Sequence, residues 1–563
     1  MAKHADVLEL FHPAVAEWFR ASFATPTPPQ AEGWPPIARG ESTLILAPTG
    51  SGKTLTAFLW AINRVMFDVE PRTHGPECRV LYVSPLKALA VDVERNLRAP
   101  IAGIAHRAAA RGDVFHTPIV AVRTGDTPQA ERARFRREPS DILITTPESL
   151  YLLLTSNARE ALRSVETVIV DEIHALVPTK RGAHLALSLE RLHALAAVPP
   201  QRIGLSATQR PLDEVARYLG GAAEATAHGR GTSGARRGKG RGLRGKPGTD
   251  PEDAIHDEFV STRSAPKYRD VSIVATSQKK SLELRIDVPV EDMARIGESD
   301  DIPSGPAAGG NKASIWTAIH PRLLELVRRH RSTLIFVNSR RIAERLAAAL
   351  NELAGEPLVR AHHGSIARPQ RVEIEDRLKA GQIRGLVATS SLELGIDMGA
   401  IDLVIQIEAP PSVASGMQRI GRSGHTIDQP SRGIIVPKYR GDLVACAAVT
   451  RAMHEAQIEA IRYPRNPLDV LAQQIAAMVA MDDWKVDDLF HALRCAAPFA
   501  DLSRSIFEGV LDMLSGRYPS DDFADLRPRL TWDRLKDELT SREGAKRVAV
   551  VNGGTIPDRG LYS

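Results

Sequence analysis

The sequence predicts an α/β fold with two parallel-sheet domains in tandem and a smaller, mainly helical domain after them. Two blocks of the chain alternate short, uninterrupted apolar runs with helix-compatible stretches. Strands that are apolar at every position are typical of parallel sheets covered by helices on both faces. The C-terminal region lacks this alternation and shows helical periodicity instead.

The first block, residues 1–222, contains five apolar runs that predict strands. Each run is followed by a loop and a stretch compatible with a helix, which predicts one parallel-sheet domain. The runs are 43–47, 79–83, 141–145, 167–171 and 202–206.

Residues 223–270 are predicted to be a basic Gly/Arg/Lys insertion between the two domains, without ordered structure. Its central part, 228–248, is rich in Gly, Arg and Lys, has almost no apolar residue and has no acidic one. Such a segment cannot offset its ordering entropy by burial, so we expect disorder. Two interpretations stay open: a tolerated surface insertion, or a basic arm that contacts phosphate groups.

The second block, residues 271–460, predicts another parallel-sheet domain. A strand at 282–288 precedes an acidic loop containing Gly and Pro at 291–312, and a helix is predicted at 340–352. Three further strands are predicted at 333–337, 385–389 and 403–407.

Residues 461–545 predict three helices and a small hairpin. This is the pattern of a winged helix, although a generic helical packing domain fits it equally well. The predicted helices are 468–479, 486–493 and 503–514, and the predicted strands are 529–532 and 547–551. The residues expected on the apolar faces of the first and third helices are Leu468, Leu471, Ile475 and Val479, then Ile506, Val510, Leu511 and Leu514.

Composition sets broad limits on the class of protein. The chain has 563 residues, 43% of them hydrophobic and 25% charged, as in ordinary globular proteins. The net charge of +5 and the pI near 9.1 permit a polyanionic partner without requiring one. Three distant cysteines favour a reducing cytoplasm, and neither a signal peptide nor a membrane span is predicted.

Residues 47–54, with the sequence APTGSGKT, directly follow a predicted strand and precede a helix. That context identifies a phosphate loop, whose backbone amides and helix N-terminus attract anions. We expect Lys53 to reach the β- and γ-phosphates of ATP and Thr54 to hold Mg²⁺. The candidate nucleotide contacts in this loop are Gly50, Ser51, Gly52, Lys53 and Thr54.

Two further motifs follow strands of the first block. Asp171 is expected to hold Mg²⁺ and Glu172 to polarise the attacking water, while His174 can relay between the nucleotide and the next loop. Small hydroxyl residues at 206–208 can hydrogen-bond to this acidic turn and sense the γ-phosphate. In the second block, Arg419 and Arg422 share a helical face, so they are predicted to clamp the triphosphate as arginine fingers.

Together these motifs resemble, in order, those of superfamily 2 helicases of the DExH type. The matching positions are Gln30, 50–54, 84–89 (SPLKAL), 145–148 (TTPE), 171–174 (DEIH), 206–208 (SAT), 336–340 (FVNSR), 388–397 (ATSSLELGID) and 418–425 (QRIGRSGH). The resemblance implies two RecA-like domains. It also implies that Gln30 reads the adenine and that Ile396, Asp397 and His425 contact the nucleotide.

Within that group the chain resembles the large helicase-related (Lhr) family. The features that carry this likeness are His174, the ending Gly424-His425, and the segments 319–326 (IHPRLLEL), 338–341 (NSRR), 466–475 (NPLDVLAQQI) and 511–518 (LDMLSGRY). The likeness favours a winged helix over a generic helical domain. It also implies that 546–563 begins a further domain, so we expect a C-terminally truncated chain. The insertion at 228–248 departs from the family pattern.

The resemblance implies an ATP-dependent motor on single-stranded DNA that travels 3′ to 5′ and unwinds DNA or RNA:DNA duplexes in DNA repair. Loops opposite the nucleotide are expected to grip the strand through phosphate contacts. The candidate contacts are Ser84, Lys87, Arg123, Thr145, Thr146, Thr389 and Ser390. Two alternatives stay open: an RNA-dependent ATPase that remodels ribonucleoprotein, or a nucleotide-gated binding module with weak turnover. The oligomeric state is not predicted.

Overall fold

The computed structural model describes most of the two predicted sheet domains and of the C-terminal region. The described residues are 6–48, 50–68, 77–207, 209–223, 266–276, 281–290, 293, 315–394, 399, 401–424, 429–517, 527–556 and 558. The predicted basic segment 228–248 lies outside these residues.

The first domain is built on a seven-stranded, entirely parallel sheet with the order β3-β4-β2-β5-β6-β1-β7. Its central strands are buried at every position, as their apolar sequences predict. The strands are β1 (Thr43–Leu46), β2 (Val80–Val83), β3 (Val120–Arg123), β4 (Ile142–Thr145), β5 (Thr167–Val170), β6 (Gln201–Ser206) and β7 (Ser272–Ala275).

The two outermost strands of this sheet, β3 and β7, are absent from the sequence-based prediction. Both lie at sheet edges and are only partly buried. Ser272 begins β7 with a polar residue, whereas the apolar run 119–122, which covers most of β3, was overlooked. Strand β7 pairs with β1, from Thr43 with Ser272 to Leu46 with Ala275. The first sheet therefore extends beyond residue 222, into the range predicted for the second domain.

The end of the predicted insertion is also ordered. Arg269 forms an ion pair with Glu190 at 2.8 Å, and Ala222 makes a β-bridge with Tyr268. Residues 266–270 therefore differ from the predicted disordered segment. Arg202 also contacts the buried Glu190 carboxylate at 2.8 Å, so a buried charge cluster orders this stretch.

Helices cover both faces of the first sheet. One apolar cluster lies under the N-terminal helices and α4, and a second lies under α6, α7 and α8. The helices are α1 (Pro13–Ser22), α2 (Pro28–Ala38), α3 (Lys53–Phe67), α4 (Lys87–Arg111), α5 (Gln129–Arg137), α6 (Pro147–Leu154), α7 (Lys180–Leu195) and α8 (Leu212–Gly220).

The second domain has a six-stranded parallel sheet with the order β10-β11-β9-β12-β13-β8. The strands are β8 (Leu282–Ile286), β9 (Thr333–Phe336), β10 (Val359–His362), β11 (Gly385–Ala388), β12 (Leu403–Ile407) and β13 (Ser431–Val436). The helices are α9 (Trp316–Arg329), α10 (Arg340–Ala354), α11 (Arg368–Lys379), α12 (Val413–Ile420) and α13 (Arg440–His454). The predicted strands here are confirmed, and β10 and β13 are additional.

The third domain is a winged helix, in which helices pack on a three-stranded antiparallel sheet with the order β14-β16-β15. Its elements are α14 (Leu468–Val479), β14 (Trp484–Lys485), α15 (Val486–Arg494), α16 (Arg504–Ser515), β15 (Leu530–Asp533), β16 (Glu538–Ser541) and α17 (Ala545–Val551).

Three details of that domain differ from the prediction. The second strand predicted at 547–551 is wrong, because the hairpin partner is β16 and these residues form α17. The apolar run 548–551 has four residues and fits a strand or a helix equally well, so periodicity could not decide. Leu468 and Ile506 are exposed, and Phe507 takes the buried position beside Ile506.

The winged helix and the first domain share one continuous apolar cluster. Leu187 and Leu189 of α7 belong to the same cluster as Leu471 and Ile475 of α14. Polar contacts reinforce this packing, since the Gln474 amide donates to the carbonyl of His184 at 3.1 Å. Within the described residues, no helix has the length and apolar character needed to span a bilayer.

Candidate nucleotide and nucleic-acid site

The phosphate loop places a buried cation at the carboxyl end of β1. Gly50 and Gly52 adopt φ of +82° and +81°, the left-handed region that favours glycine. The Lys53 side chain at the start of α3 is 7% exposed, and its Nζ lies 3.8 Å from Glu172 Oε2. Among the described residues, Lys53 Nζ has no hydrogen-bond partner. A buried ammonium without such a partner fits a loop built to receive phosphate oxygens.

Gln30 lies directly against this loop. Its Oε1 accepts a hydrogen bond from the backbone amide of Thr27 at 2.9 Å, and Thr27 Oγ1 donates to the carbonyl of Ser51 at 2.8 Å. A Cβ on Gly52 would lie 2.8 Å from Gln30 Nε2. The glutamine that the family resemblance assigns to adenine is therefore fixed beside the phosphate loop.

The acidic turn after β5 brings Asp171 and Glu172 to the same pocket. Asp171 accepts hydrogen bonds from the Tyr82 hydroxyl and, at 2.8 Å, from the backbone amide of Glu172. Burial, and then the neighbouring Glu172 carboxylate, raise the pKa of Asp171 to about 6. Glu172 has φ of +43°, a conformation that is costly for a side chain with a Cβ. The fold thus aims the Glu172 carboxylate at the Lys53 ammonium.

His174 reaches from this turn to two other motifs. Its Nδ1 lies 3.3 Å from both Ser206 Oγ and the backbone amide of Ala207. Its Nε2 lies 2.8 Å from the side-chain amide of Gln418, in the second domain. Burial lowers the pKa of His174 to about 4, so the ring is neutral at physiological pH. His174 therefore bridges the two domains beside the nucleotide pocket.

The two predicted arginine fingers occupy different environments. Arg419 is buried in the second domain, where its guanidinium contacts Glu393 at 2.9 Å, Gln406 at 2.9 Å and Asn338 at 3.1 Å. All of these partners belong to the second domain, so in this conformation Arg419 braces that domain and does not reach the triphosphate pocket. Arg422, at the end of the same motif, donates from Nη2 to the carbonyl of Glu393 at 2.7 Å.

The described carboxylates do not by themselves define a magnesium site. Among the described residues, no group of three or more His, Cys, Asp or Glu side chains could hold a metal ion. Thr54 and Asp171 supply few protein ligands, which suits Mg²⁺ because this ion usually keeps waters and substrate phosphate oxygens in its shell. The predicted contacts Ile396, Asp397 and His425 lie outside the described residues, as do Thr49 and Thr208.

The predicted nucleic-acid contacts cluster at the carboxyl ends of neighbouring strands. Those of the first domain follow or end β2, β3 and β4, which are adjacent in the sheet. Ser84, Thr145 and Thr146 are buried, and their hydroxyls donate to Leu86 O, Arg123 O and Ser149 Oγ respectively. These three hydroxyls shape the loops. Lys87 Nζ is exposed at the loop surface and pairs with Asp126 at 2.6 Å.

The contacts predicted in the second domain follow β11. Thr389 is half-buried, and its backbone amide donates to the carbonyl of His362 at 3.3 Å. Ser390 is exposed and begins the short helical turn Ser390–Leu392. Their loop therefore lies at the carboxyl end of the strands in the second sheet, as the loops of Ser84 and Thr145 do in the first.

Arg181 is a residue that the sequence analysis missed. Its guanidinium makes two hydrogen bonds to Glu148, at 2.6 and 3.0 Å, and a third to the carbonyl of Pro85 at 2.7 Å. Burial acts to raise the pKa of Glu148, but the Arg181 ion pair outweighs it and holds that pKa below its usual range. Arg181 thus ties together the motifs at 84–89 and 145–148. An arginine at a helix start gave no signal of this in the sequence.

A basic groove of 420 Å³ continues from Arg123 toward the C-terminal helix α17. Its described lining has four basic side chains and no acidic one, the basic residues being Arg123, Arg132, Arg136 and Lys546. Burial, and then the charge of Arg132, lower the pKa of Arg123 to about 10. Among the described residues, Arg123 Nη1 has no hydrogen-bond partner. The groove is therefore suited to an anionic chain.

These features define the class of helicase-type ATPases: two parallel-sheet domains in tandem, a phosphate loop with an acidic strand end, and an arginine motif bridged to that strand end. Family models agree with this assignment along the chain. The model for DEAD/DEAH box helicases matches residues 27–215, and the helicase conserved C-terminal domain matches residues 318–426. The winged helix domain of the large helicase-related protein matches residues 451–563.

Relatives narrow the class further. The chain is 47% identical over 592 residues to an Lhr helicase and probable uracil glycosylase of Mycolicibacterium smegmatis, covering 99% of this chain and 35% of the relative. It is 37% identical to the ATP-dependent helicase Lhr-Core of Methanocaldococcus jannaschii, covering 98% of this chain and 58% of the relative. The chain thus spans about a third to somewhat over half of these relatives.

A solved structure gives the same result. The Mycobacterium smegmatis helicase Lhr, bound to single-stranded DNA and AMP-PNP, superposes with a TM-score of 0.82 at 48% identity. The match covers 99% of this chain and 64% of that one. This chain belongs to the large helicase-related (Lhr) family.

Proposed function

We propose that the chain hydrolyses ATP between its two parallel-sheet domains and uses the cycle to move along single-stranded nucleic acid. The observation that carries this proposal is the buried Lys53 ammonium, which lies 3.8 Å from Glu172 and has no hydrogen-bond partner among the described residues. Leaving such a buried donor without a hydrogen bond is costly unless a ligand completes the site. The triphosphate of ATP is the ligand that a phosphate loop receives.

The roles of the site residues follow from their placement. Lys53 and the amides of the loop bind the β- and γ-phosphates, and Glu172 orients and deprotonates the attacking water. Thr54 and Asp171 would hold Mg²⁺, which neutralises charge on the phosphate oxygens when bound. The Tyr82 hydroxyl orients the Asp171 carboxylate. Gln30, fixed against the phosphate loop, reads the adenine edge.

Coupling between the domains runs through the bridge between His174 and Gln418. Gln418 and Arg419 lie in the last turn of α12, which ends at Ile420, and Arg422 lies in the turn directly after it. A shift of this segment would move all three side chains together. Closure of the cleft would bring Arg422 toward the γ-phosphate, while Arg419 stays anchored on Glu393 and keeps the helix rigid. Arg422 is therefore the better candidate for an arginine finger.

The nucleic-acid track is proposed to cross the carboxyl ends of both sheets. Ser84, Lys87, Thr145 and Thr146 border it in the first domain, and Thr389 and Ser390 border it in the second. The basic groove at Arg123 would continue the track toward the winged helix, because closely spaced cations release condensed counterions from a phosphate backbone. The solved relative bound to single-stranded DNA supports this partner.

We further propose travel from 3′ to 5′ on DNA, with unwinding of DNA or RNA:DNA duplexes in repair, as the family resemblance implies. A steady-state ATPase assay without nucleic acid, with single-stranded DNA and with single-stranded RNA tests the core proposal. We expect DNA to stimulate turnover, and Lys53→Ala to lose both the basal and the stimulated rate. Preferential stimulation by RNA would favour a ribonucleoprotein remodeller, and no stimulation would favour a binding module.

Direction is tested separately by strand displacement. Duplexes carrying a 3′ or a 5′ single-stranded tail are compared, with DNA or RNA as the displaced strand. We expect unwinding only from the 3′-tailed duplexes. Equal unwinding from both tails would contradict the proposed polarity while leaving the ATPase proposal intact.

A further inference from the structure

Helix α11 of the second domain makes charged contacts with α4 of the first domain. Lys379 Nζ lies 2.5 Å from Asp92 Oδ1, and the side chains are 30% and 9% exposed. Arg95 Nη1 lies 3.2 Å from Asp376 Oδ1 in a more exposed pair. Ala88, in the first turn of α4, packs against the apolar cluster of the second domain. The two helices therefore form an interdomain contact separate from the bridge at His174.

Other contacts of α11 lie within the second domain, at the end of β10. Glu375, on α11, lies 3.2 Å from Nε2 of the buried His362. His362 Nδ1 lies 3.1 Å from Ser391 Oγ, and its carbonyl accepts from the Thr389 amide at 3.3 Å. Nε2 can therefore donate to this carboxylate, while Nδ1 lies against the serine hydroxyl.

One helix thus connects the first domain with the loop that carries Thr389 and Ser390. Glu375 and Lys379 are four residues apart and therefore lie on neighbouring turns of one helical face. The C-terminal end of α11 also borders the far side of the loop, since a Cβ on Gly399 would lie 3.1 Å from Lys379 O. A short helix moves as a rigid body, so a displacement at Lys379 is transmitted to Glu375.

We propose that α11 is a coupling element, in which the Asp92–Lys379 ion pair and the chain Glu375–His362–Ser391 position the Thr389–Ser390 loop on the nucleic-acid strand when the domains approach. This inference rests on the proposed function, and it assigns Lys379, Glu375 and His362 as positioning residues. None of these three belongs to the candidate nucleotide site. Their contribution is therefore to the response to nucleic acid.

The test is a titration of ATPase rate against single-stranded DNA for Lys379→Gln and His362→Gln. We expect the half-saturating DNA concentration to rise, or the maximal stimulation to fall, by about two- to fivefold, the size that a partly exposed ion pair or one hydrogen bond supports. The basal rate and the KM for ATP without DNA should match the wild type. The charge-reversed pair Asp92→Lys with Lys379→Asp should recover part of the response.

Arg377→Gln is the matched control, because Arg377 lies on the same helix and, among the described residues, its ion pair is a local one with Glu373 at 3.6 Å. Thermal unfolding identifies any variant that fails to fold. If one of the two positioning variants does not fold, the DNA titration of the other tests the proposal. A DNA titration of Lys379→Gln and His362→Gln that superposes on that of Arg377→Gln would overturn the coupling role. If single-stranded DNA did not stimulate the ATPase rate of the wild-type protein, the proposed function would be overturned, and the coupling role with it.

Discussion

His174 and Gln418 meet across the cleft between the two domains, with ring Nε2 and the side-chain amide of Gln418 2.8 Å apart. The backbone amide of Ala207 donates to His174 Nδ1 at 3.3 Å, so in the neutral ring Nε2 carries the hydrogen. The Gln418 atom placed beside the ring is Nε2, so a half-turn of this amide, which exchanges its nitrogen and oxygen, is needed to give the ring an acceptor. With that half-turn, the bridge is a hydrogen bond donated by the first domain to an acceptor in the second.

The direction of this hydrogen bond gives the first prediction. Gln418→Leu removes the acceptor while keeping similar bulk, so nucleic-acid-stimulated turnover should fall about tenfold, the equivalent of roughly 1.4 kcal/mol. Gln418→Glu keeps an acceptor oxygen at the same reach and should retain most of the rate. Stimulated kcat is the measurement. Equal losses in both variants would show that the bridge does not depend on an acceptor at this position.

The second prediction concerns Glu172. Glu172→Gln keeps the shape that fits the strained backbone but removes the carboxylate that would activate water. We expect turnover to fall by a factor on the order of 10² to 10⁴ while ATP binding is retained. Binding of a fluorescent ATP analogue and the steady-state rate, measured on the same preparation, check this. Wild-type turnover in the variant would remove Glu172 from the proposed mechanism.

The third prediction separates the two arginines. Arg419→Ala leaves the Glu393 carboxylate without its buried partner, so we expect the free energy of unfolding to fall by about 3 kcal/mol. Arg422→Ala should lower kcat with a much smaller change in thermal stability. Calorimetry and ATPase rates on both variants are compared. If Arg419→Ala lost turnover at unchanged stability, Arg419 would act on the nucleotide after all.

Much of the site was predictable because its motifs are local. The phosphate loop of Lys53 and the acidic turn of Glu172 each occupy a few consecutive residues after an apolar strand, so sequence and context identify them. The roles of Arg419 and Arg181 depend on partners distant in sequence, such as Gln406 for Arg419. The prediction that Arg419 and Arg422 share a helical face is wrong, because the helix ends at Ile420 and Arg422 lies in the turn after it.

In the fold, central strands were easier to predict from the sequence than strands at the sheet edges. Central strands such as Thr167–Val170 are buried at every position and were predicted from their apolar runs. Edge strands such as Ser272–Ala275 are partly exposed and carry mixed residues, so the extension of the first sheet past the insertion gave no signal. The segment at Ala545–Val551 is too short for a period to separate helix from strand.

The last prediction concerns His184, which is buried where α7 of the first domain meets α14 of the winged helix. Burial lowers the pKa of His184 to about 4, from an ordinary value of 6.5. Among the described residues, neither ring nitrogen has a hydrogen-bond partner, and the ring packs 4.8 Å from that of Tyr151. Below pH 6.5 the unfolded chain therefore binds a proton that the folded chain excludes. Stability should fall as the pH is lowered from 6.5 toward 4, by up to about 3 kcal/mol from this residue.

His184→Phe should keep the ring packing, remove two unsatisfied polar atoms and raise the unfolding free energy at pH 7 by about 1 kcal/mol. It should also flatten the loss of stability between pH 6.5 and 4, because phenylalanine does not titrate. Denaturant unfolding at several pH values, with the exposed His106→Gln as a control, measures both effects. A variant whose stability declines with pH as steeply as the wild type would mean that His184 finds a partner or solvent in the folded protein. The contact between the first domain and the winged helix would then be looser than its shared apolar cluster indicates.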